Sequence, residues 1–224
     1  MAAKLGCVGS IVTATWFLTV LFANTAPARA DAPPTPGIKI YDETSYCTSA
    51  FTAQGNDGRY FLMTSGHCDA EDNSLWTYGE DQAPLGRVTA KEYGVNETTG
   101  IQTKDAALIE LEPGVGMPPD DIAGKYPVRD VLSRSELKVG TQMCKIGATT
   151  GETCGPITTV HGAYVVEANL HCEGGDSGSP GFVKNPDGTA SAVGILTSSD
   201  DDADQTYFIL VQPLLTKWGL QLLP

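Results

Sequence analysis

From residue 38 onward the chain is interrupted about every ten residues by Gly, Pro, Asn or Asp, and short runs rich in β-branched and aromatic residues fill the gaps. This cadence constrains the fold more than any other feature. An amphipathic helix needs apolar residues at i, i+3 and i+4 over roughly ten or more positions, and the breaks rarely leave that room. The runs 38–41, 59–64, 75–78, 86–90 and 106–111 read as strands, as do 139–146, 157–160, 163–167, 192–197 and 207–211. Many short strands with turn signals between them predict an all-β barrel or sandwich. The segment 213–220 (PLLTKWGL) reads as one or two helical turns, with its proline where a first turn tolerates it. A Gly/Pro-rich loop at 113–126 separates two groups of strands, expected as 31–118 and 119–224 of one unit.

The first thirty residues read as an address. Lys4 gives a basic start, 8–23 is an uncharged and mostly apolar run, and Ala28-Arg29-Ala30 is an A-x-A cleavage pattern. The run is short for the roughly 30 Å of a bilayer core, so 1–30 is expected to be a signal peptide of a protein secreted to the cell exterior or envelope. Its removal takes Lys4 and Arg29 from the 14 basic residues and leaves the 27 acids, changing the net charge from −13 to −15. Such an acidic chain lacks the basic footprint that nucleic acid or anionic lipid requires. No later run is long enough to span a membrane, so neither nucleic acid nor membrane is an expected partner. Cys7 leaves with the leader. The odd set Cys47, Cys68, Cys144, Cys154 and Cys172 remains in a compartment that permits disulfides.

Chemistry concentrates in Gly174-Gly175-Asp176-Ser177-Gly178-Ser179-Pro180. A serine is a weak nucleophile until a base takes its proton and hydrogen-bond donors stabilise the oxyanion. Flanking glycines let the backbone turn tightly and aim N–H groups at one point. An ordinary Gly/Ser turn is the plain alternative. The pattern is not a G-x-S-x-G elbow, because Ser179 stands at its last glycine position. A base must come from three histidines. His67, in Thr64-Ser65-Gly66-His67-Cys68, follows an apolar strand directly, whereas His161 and His171 lie in turns that suit surface positions. Asp105 opens the apolar run 105–109 and is the best candidate to orient a base; Asp69, Asp72, Asp81, Asp120, Asp121 and Asp130 suit solvated loops.

The order His…Asp…Ser, carried by T-S-G-H-C, D-A-A-L-I and G-D-S-G-S-P, resembles the chymotrypsin-fold serine peptidases. The stretch from Cys144 to Gly155 (CKIGATTGETCG) is similar to C-R-x-G-x-T-T-G-x-x-C-G of the bacterial secreted branch, the streptogrisin and α-lytic endopeptidases. The resemblance covers roughly 38–224. It implies two six-stranded antiparallel β-barrels packed together, a short C-terminal helix, and a cleft between the barrels. It implies Ser177 as nucleophile, His67 as general base then acid, Asp105 as orienter, and the N–H groups of Gly175 and Ser177 as oxyanion hole. It further implies disulfides Cys47–Cys68 and Cys144–Cys154, and a buried Lys145–Asp176 pair that shapes the oxyanion loop. A monomeric endopeptidase acting on peptide or protein substrates, with no metal and no cofactor, is the expectation.

Several residues depart from the pattern. Cys172 matches a family cysteine whose usual partner lies later in the chain, and no cysteine follows it, so it is expected to be a free thiol. Asn169-Leu170-His171 stands where trypsin-like enzymes carry a pocket aspartate, so a trypsin-type preference for Arg or Lys is not supported. Thr197-Ser198-Ser199-Asp200 stands where relatives have Thr-Ser-Gly-Gly; Ser198 is expected to remain a backbone contact for substrate near the triad, and Ser199 and Asp200 to narrow the pocket or meet substrate. The acids that follow would favour basic substrate side chains or form a solvated loop tip. Two rival functions stay open: a binding protein with an occluded cleft, and an esterase-like hydrolase using the same triad.

Overall fold

A computed structural model describes residues 33–43, 45–70, 73–200 and 204–223. The expected leader lies outside the described residues, as does 201–203. Among the described residues no helix is long and apolar enough to cross a membrane.

The chain forms two sheets, antiparallel except where the strand Tyr126–Val131 runs parallel to Ala190–Asp200. The first contains β1 (Lys39–Tyr41), β2 (Tyr46–Thr48), β3 (Thr52–Gly55), β4 (Tyr60–Thr64), β5 (Trp76–Tyr78), β6 (Ala83–Val95) and β7 (Gln102–Leu111). The second contains β8 (Asp121–Ile122), β9 (Tyr126–Val131), β10 (Gln142–Gly147), β11 (Gly151–His161), β12 (Val165–Asn169), β13 (Pro180–Lys184), β14 (Ala190–Asp200) and β15 (Gln205–Leu210). A helix, α1 (Val211–Trp218), follows, and β16 (Leu220–Leu222) returns to pair with β3 of the first sheet. The second sheet runs β10-β11-β12-β15-β14 and closes into a six-stranded barrel because β13 pairs with both β10 and β14. The first runs β3-β4-β7-β6-β5-β1, extended at its ends by β16 and β2, and is a half-barrel. Two sheets and one short C-terminal helix make the chymotrypsin-like two-barrel architecture.

The apolar runs become strands buried on both faces. In β4, Leu62 joins Trp76, Leu85 and Ile109 inside the first sheet, while Phe61 and Met63 face the second. In β7, Ile109 and Leu111 point inward, while Ala106 and Leu108 join Ile146, Phe182 and Ile195 in a core shared by both sheets. Successive side chains alternate faces, so a strand covered on both sides reads as a continuous apolar run. A third cluster, around Met143, Val166, Leu196 and Phe208, fills the second barrel.

The structure adds strands that periodicity did not reveal: β2, β3, β8, β9, β13 and β16. The helix also differs from expectation. It starts at Val211 and stops at Trp218, because Gly219 adopts a left-handed conformation (φ 64°) and caps Leu215, freeing Leu220 for β16.

Candidate active site

His67 sits in a short helical turn, Gly66–Cys68, directly after β4. Asp105 lies in β7, is fully buried, and holds His67 twice. Its Oδ1 accepts the His67 backbone N–H at 2.7 Å, and its Oδ2 lies 2.6 Å from His67 Nδ1. That pairing fixes the ring's orientation and turns Nε2 outward. Gly66 permits it: a Cβ there would meet the Glu92 carbonyl at 2.7 Å and the Ala106 nitrogen at 3.0 Å. The Cys47–Cys68 disulfide ties this turn to β2.

A third partner was missed in the sequence. Thr197 is buried, and its hydroxyl donates to Asp105 Oδ2 at 2.5 Å. Ser198, expected as a substrate contact near the triad, lines the cleft that also holds Ser177. A register shift in β14 between Leu196 and Ser198 accompanies the inward turn of Thr197.

Ser177 stands in the loop between β12 and β13. The N–H groups of Asp176, Gly178 and Ser179 are spent on the carbonyls of Glu173, Leu196 and Asp176. Among the described residues, those of Gly175 and Ser177 are in no hydrogen bond. Gly175 has φ 93°, and a Cβ there would collide with the Tyr46 ring and the Thr149 hydroxyl. Thr48 joins the loop to the first sheet: its N–H donates to the Ser177 carbonyl at 2.8 Å and its hydroxyl to the Gly175 carbonyl at 2.8 Å. Among the described residues no hydrogen bond links the Ser177 hydroxyl to His67. Such contacts are often long before substrate binds and tighten in the complex.

Beneath the loop, Lys145 and Asp176 are both fully buried, with Nζ 2.9 Å from Oδ2. Asp176 also accepts from the Thr150 hydroxyl at 2.5 Å and from the N–H groups of Thr149, Thr150 and Glu173 at 2.9–3.1 Å. Burial alone would raise its pKa, but the bonds from Thr150, Lys145 and the backbone together hold it below the usual carboxylate range. Lys145 also reaches Thr150 and the Gly151 carbonyl. The Cys144–Cys154 disulfide crosses β10 and β11 beside this cluster.

A cleft of about 620 Å³ opens beside Ser177, lined in part by Leu170, His171, Cys172, Leu196, Ser199 and Asp200. The Cys172 thiol is free and buried, next to the Thr206 hydroxyl. His161 is elsewhere: its Nε2 pairs with Glu167 at 2.6 Å and its ring packs near Tyr207. Among the described residues, two His/Cys/acid groupings are tight enough to consider for a metal, Cys47-His67-Cys68 and Cys144-Glu152-Cys154. Their sulfurs are in disulfides and have no thiolate to offer a metal.

The fold is that of the bacterial chymotrypsin-like serine proteases, and the chain resembles them in sequence as well as in structure. Thermobifida fusca Protease A superimposes with a TM-score of 0.65 at 21% identity, covering 84% of this chain and 97% of that one. Glutamyl endopeptidase 2 of Streptomyces griseus is 28% identical over 157 residues, 65% of this chain and 77% of its own length. An uncharacterized protein of Mycobacterium tuberculosis is 27% identical over 198 residues, 81% and 82% of the two chains. No protein-family model matches the sequence.

Proposed function

We propose that the protein is a secreted serine endopeptidase that cleaves peptide bonds through a covalent acyl-enzyme. One observation carries this reading. His67 is held by the buried Asp105, and Ser177 lies on a loop whose neighbouring N–H groups are spent while those of Gly175 and Ser177 are spare. Ser177 Oγ attacks the substrate carbonyl carbon as His67 Nε2 takes the hydroxyl proton. The oxyanion meets the two spare N–H groups, and the Asp105 carboxylate stabilises the imidazolium. His67 then gives its proton to the leaving amine, and a water activated by the same nitrogen releases the acyl group. The similarity to serine proteases supports the hydrolase class. The two disulfides and the leader pattern support export.

A fluorophosphonate probe tests the nucleophile. Labelling of the leaderless chain that disappears in Ser177→Ala supports the reading, and an unlabelled folded protein sinks it in favour of a binding function. Turnover of simple esters without peptide cleavage would move the assignment to an esterase-like hydrolase. The open cleft beside Ser177 favours the peptidase over an occluded binding protein.

A further inference from the structure

The cleft beside Ser177 has two zones. Its inner wall is largely hydrocarbon and thiol: Leu170, Cys172 and Leu196 are all buried, and the Thr206 hydroxyl is engaged by the Leu170 carbonyl and lies beside the Cys172 sulfur. Its mouth carries Glu173, Asp200 and Asp204, together with His171. Both ring nitrogens of His171 are already engaged, Nδ1 with Asp204 and Nε2 with Glu173, each at 3.2 Å. These carboxylates, Asp204 foremost, raise the histidine's pKa. Even a protonated His171 is therefore outweighed by its two partners, and Asp200 adds to the excess.

We infer that this pocket selects a long cationic side chain, arginine or lysine, at the residue whose carbonyl is attacked. The inference rests on the peptidase reading above. The apolar wall and the serine at its edge define the site; the carboxylates define what it takes. An alkyl stem lies along Leu170 and Leu196 while its charged head stays at the wet mouth among Glu173, Asp200 and Asp204. A carboxylate side chain meets the reverse: the cation at the mouth is held by two protein carboxylates, so a third enters against repulsion. By this reasoning the chain departs from its glutamyl endopeptidase relative. Recognition at an exposed mouth, rather than by a carboxylate on a buried floor, also makes the preference sensitive to salt.

The test compares peptides that differ only before the scissile bond: Arg, Lys, norleucine or Glu. Arg and Lys are expected to exceed norleucine in kcat/KM by about tenfold and Glu by about a hundredfold, about 1.4 and 2.7 kcal/mol. The Arg-to-norleucine ratio is expected to fall by about threefold to tenfold in Asp200→Asn or Asp204→Asn, and again at 1 M salt. A preference for Glu or norleucine, or a ratio indifferent to both substitutions and to salt, overturns the inference. A second measurement needs no turnover: titration of the Ser177→Ala protein with n-butylguanidinium and with n-butyrate. The guanidinium must bind the more tightly; equal or tighter butyrate binding overturns the inference while leaving fluorophosphonate labelling intact. Guanidinium binding with no labelling of the unmodified serine would instead sink the peptidase reading alone.

Discussion

Lys145 and Asp176 offer an unequal pair of perturbations. In Lys145→Met the buried carboxylate loses its cation but keeps the Thr150 hydroxyl and three backbone N–H donors. Breaking a buried pair costs about 3–5 kcal/mol, and this residual solvation places the loss near 3. At a urea dependence of about 2 kcal/mol per M, the unfolding midpoint falls by about 1.5 M. Asp176→Ala is far worse. It strands a buried ammonium on Thr150 and the Gly151 carbonyl and orphans three N–H groups, each worth about 1–3 kcal/mol unsatisfied. The sum is at least about 6 kcal/mol, enough to unfold a domain whose whole stability is about 5–15. The double variant Lys145→Met/Asp176→Ala should then be more stable than Asp176→Ala alone, because the stranded charge is gone. Urea melts followed by tryptophan fluorescence measure all three. A Lys145→Met midpoint unchanged from the parent, or an Asp176→Ala no less stable than Lys145→Met, would refute this reasoning.

Further outcomes can be checked on the same protein. Thr197→Val removes a hydrogen bond to a buried carboxylate, worth about 1.5–3 kcal/mol; kcat/KM should fall about tenfold or more with KM little changed, and steady-state kinetics would reveal it. Gly175→Ala sets a methyl against Tyr46 and Thr149 at a positive φ and should cost about 10²–10³ in kcat, while an unchanged kcat would remove Gly175 from the oxyanion hole. Asp176 has its pKa depressed in the folded state, so its contribution is present above the unfolded carboxylate value and disappears as pH falls through the folded one. Melting temperature should therefore decline below about pH 4, and less steeply in Asp176→Asn. Cys172 lines the cleft, so a small thiol reagent should block peptide cleavage, and prior n-butylguanidinium should slow the block; mass spectrometry locates the adduct.

The strands legible in the sequence were those buried on both faces, such as β4 and β7, where the apolar run is unbroken. Those missed share another cause. The residues of β3 (TAQG) lack bulk, and β9 carries Pro127, which argues against a central strand. In fact β9 runs parallel beside β14 at the margin of its sheet. β13 was hidden because its first residue, Pro180, closes the serine motif. At the candidate site, His67, Asp105, Ser177, Lys145 and Asp176 stood inside motifs whose chemistry can be named from residue type. Thr197, Thr48 and Tyr46 did not. Their places depend on a register shift, on contact between the two sheets, and on the conformation of Gly175, which arise only from folding.

The return of β16 to the first sheet has a kinetic consequence. Leu220 pairs with Gly55 and Leu222 with Ala53, so the opening half of the chain cannot complete its hydrogen bonding until the closing residues arrive. Contacts at such sequence separation place folding among slow β topologies, roughly milliseconds to seconds. The first half does not finish alone: a fragment cut between β7 and β8 would present β3 as a bare edge open to pairing with other chains. Maturation of the site is then a late event, with the last strand acting as the latch of the first sheet.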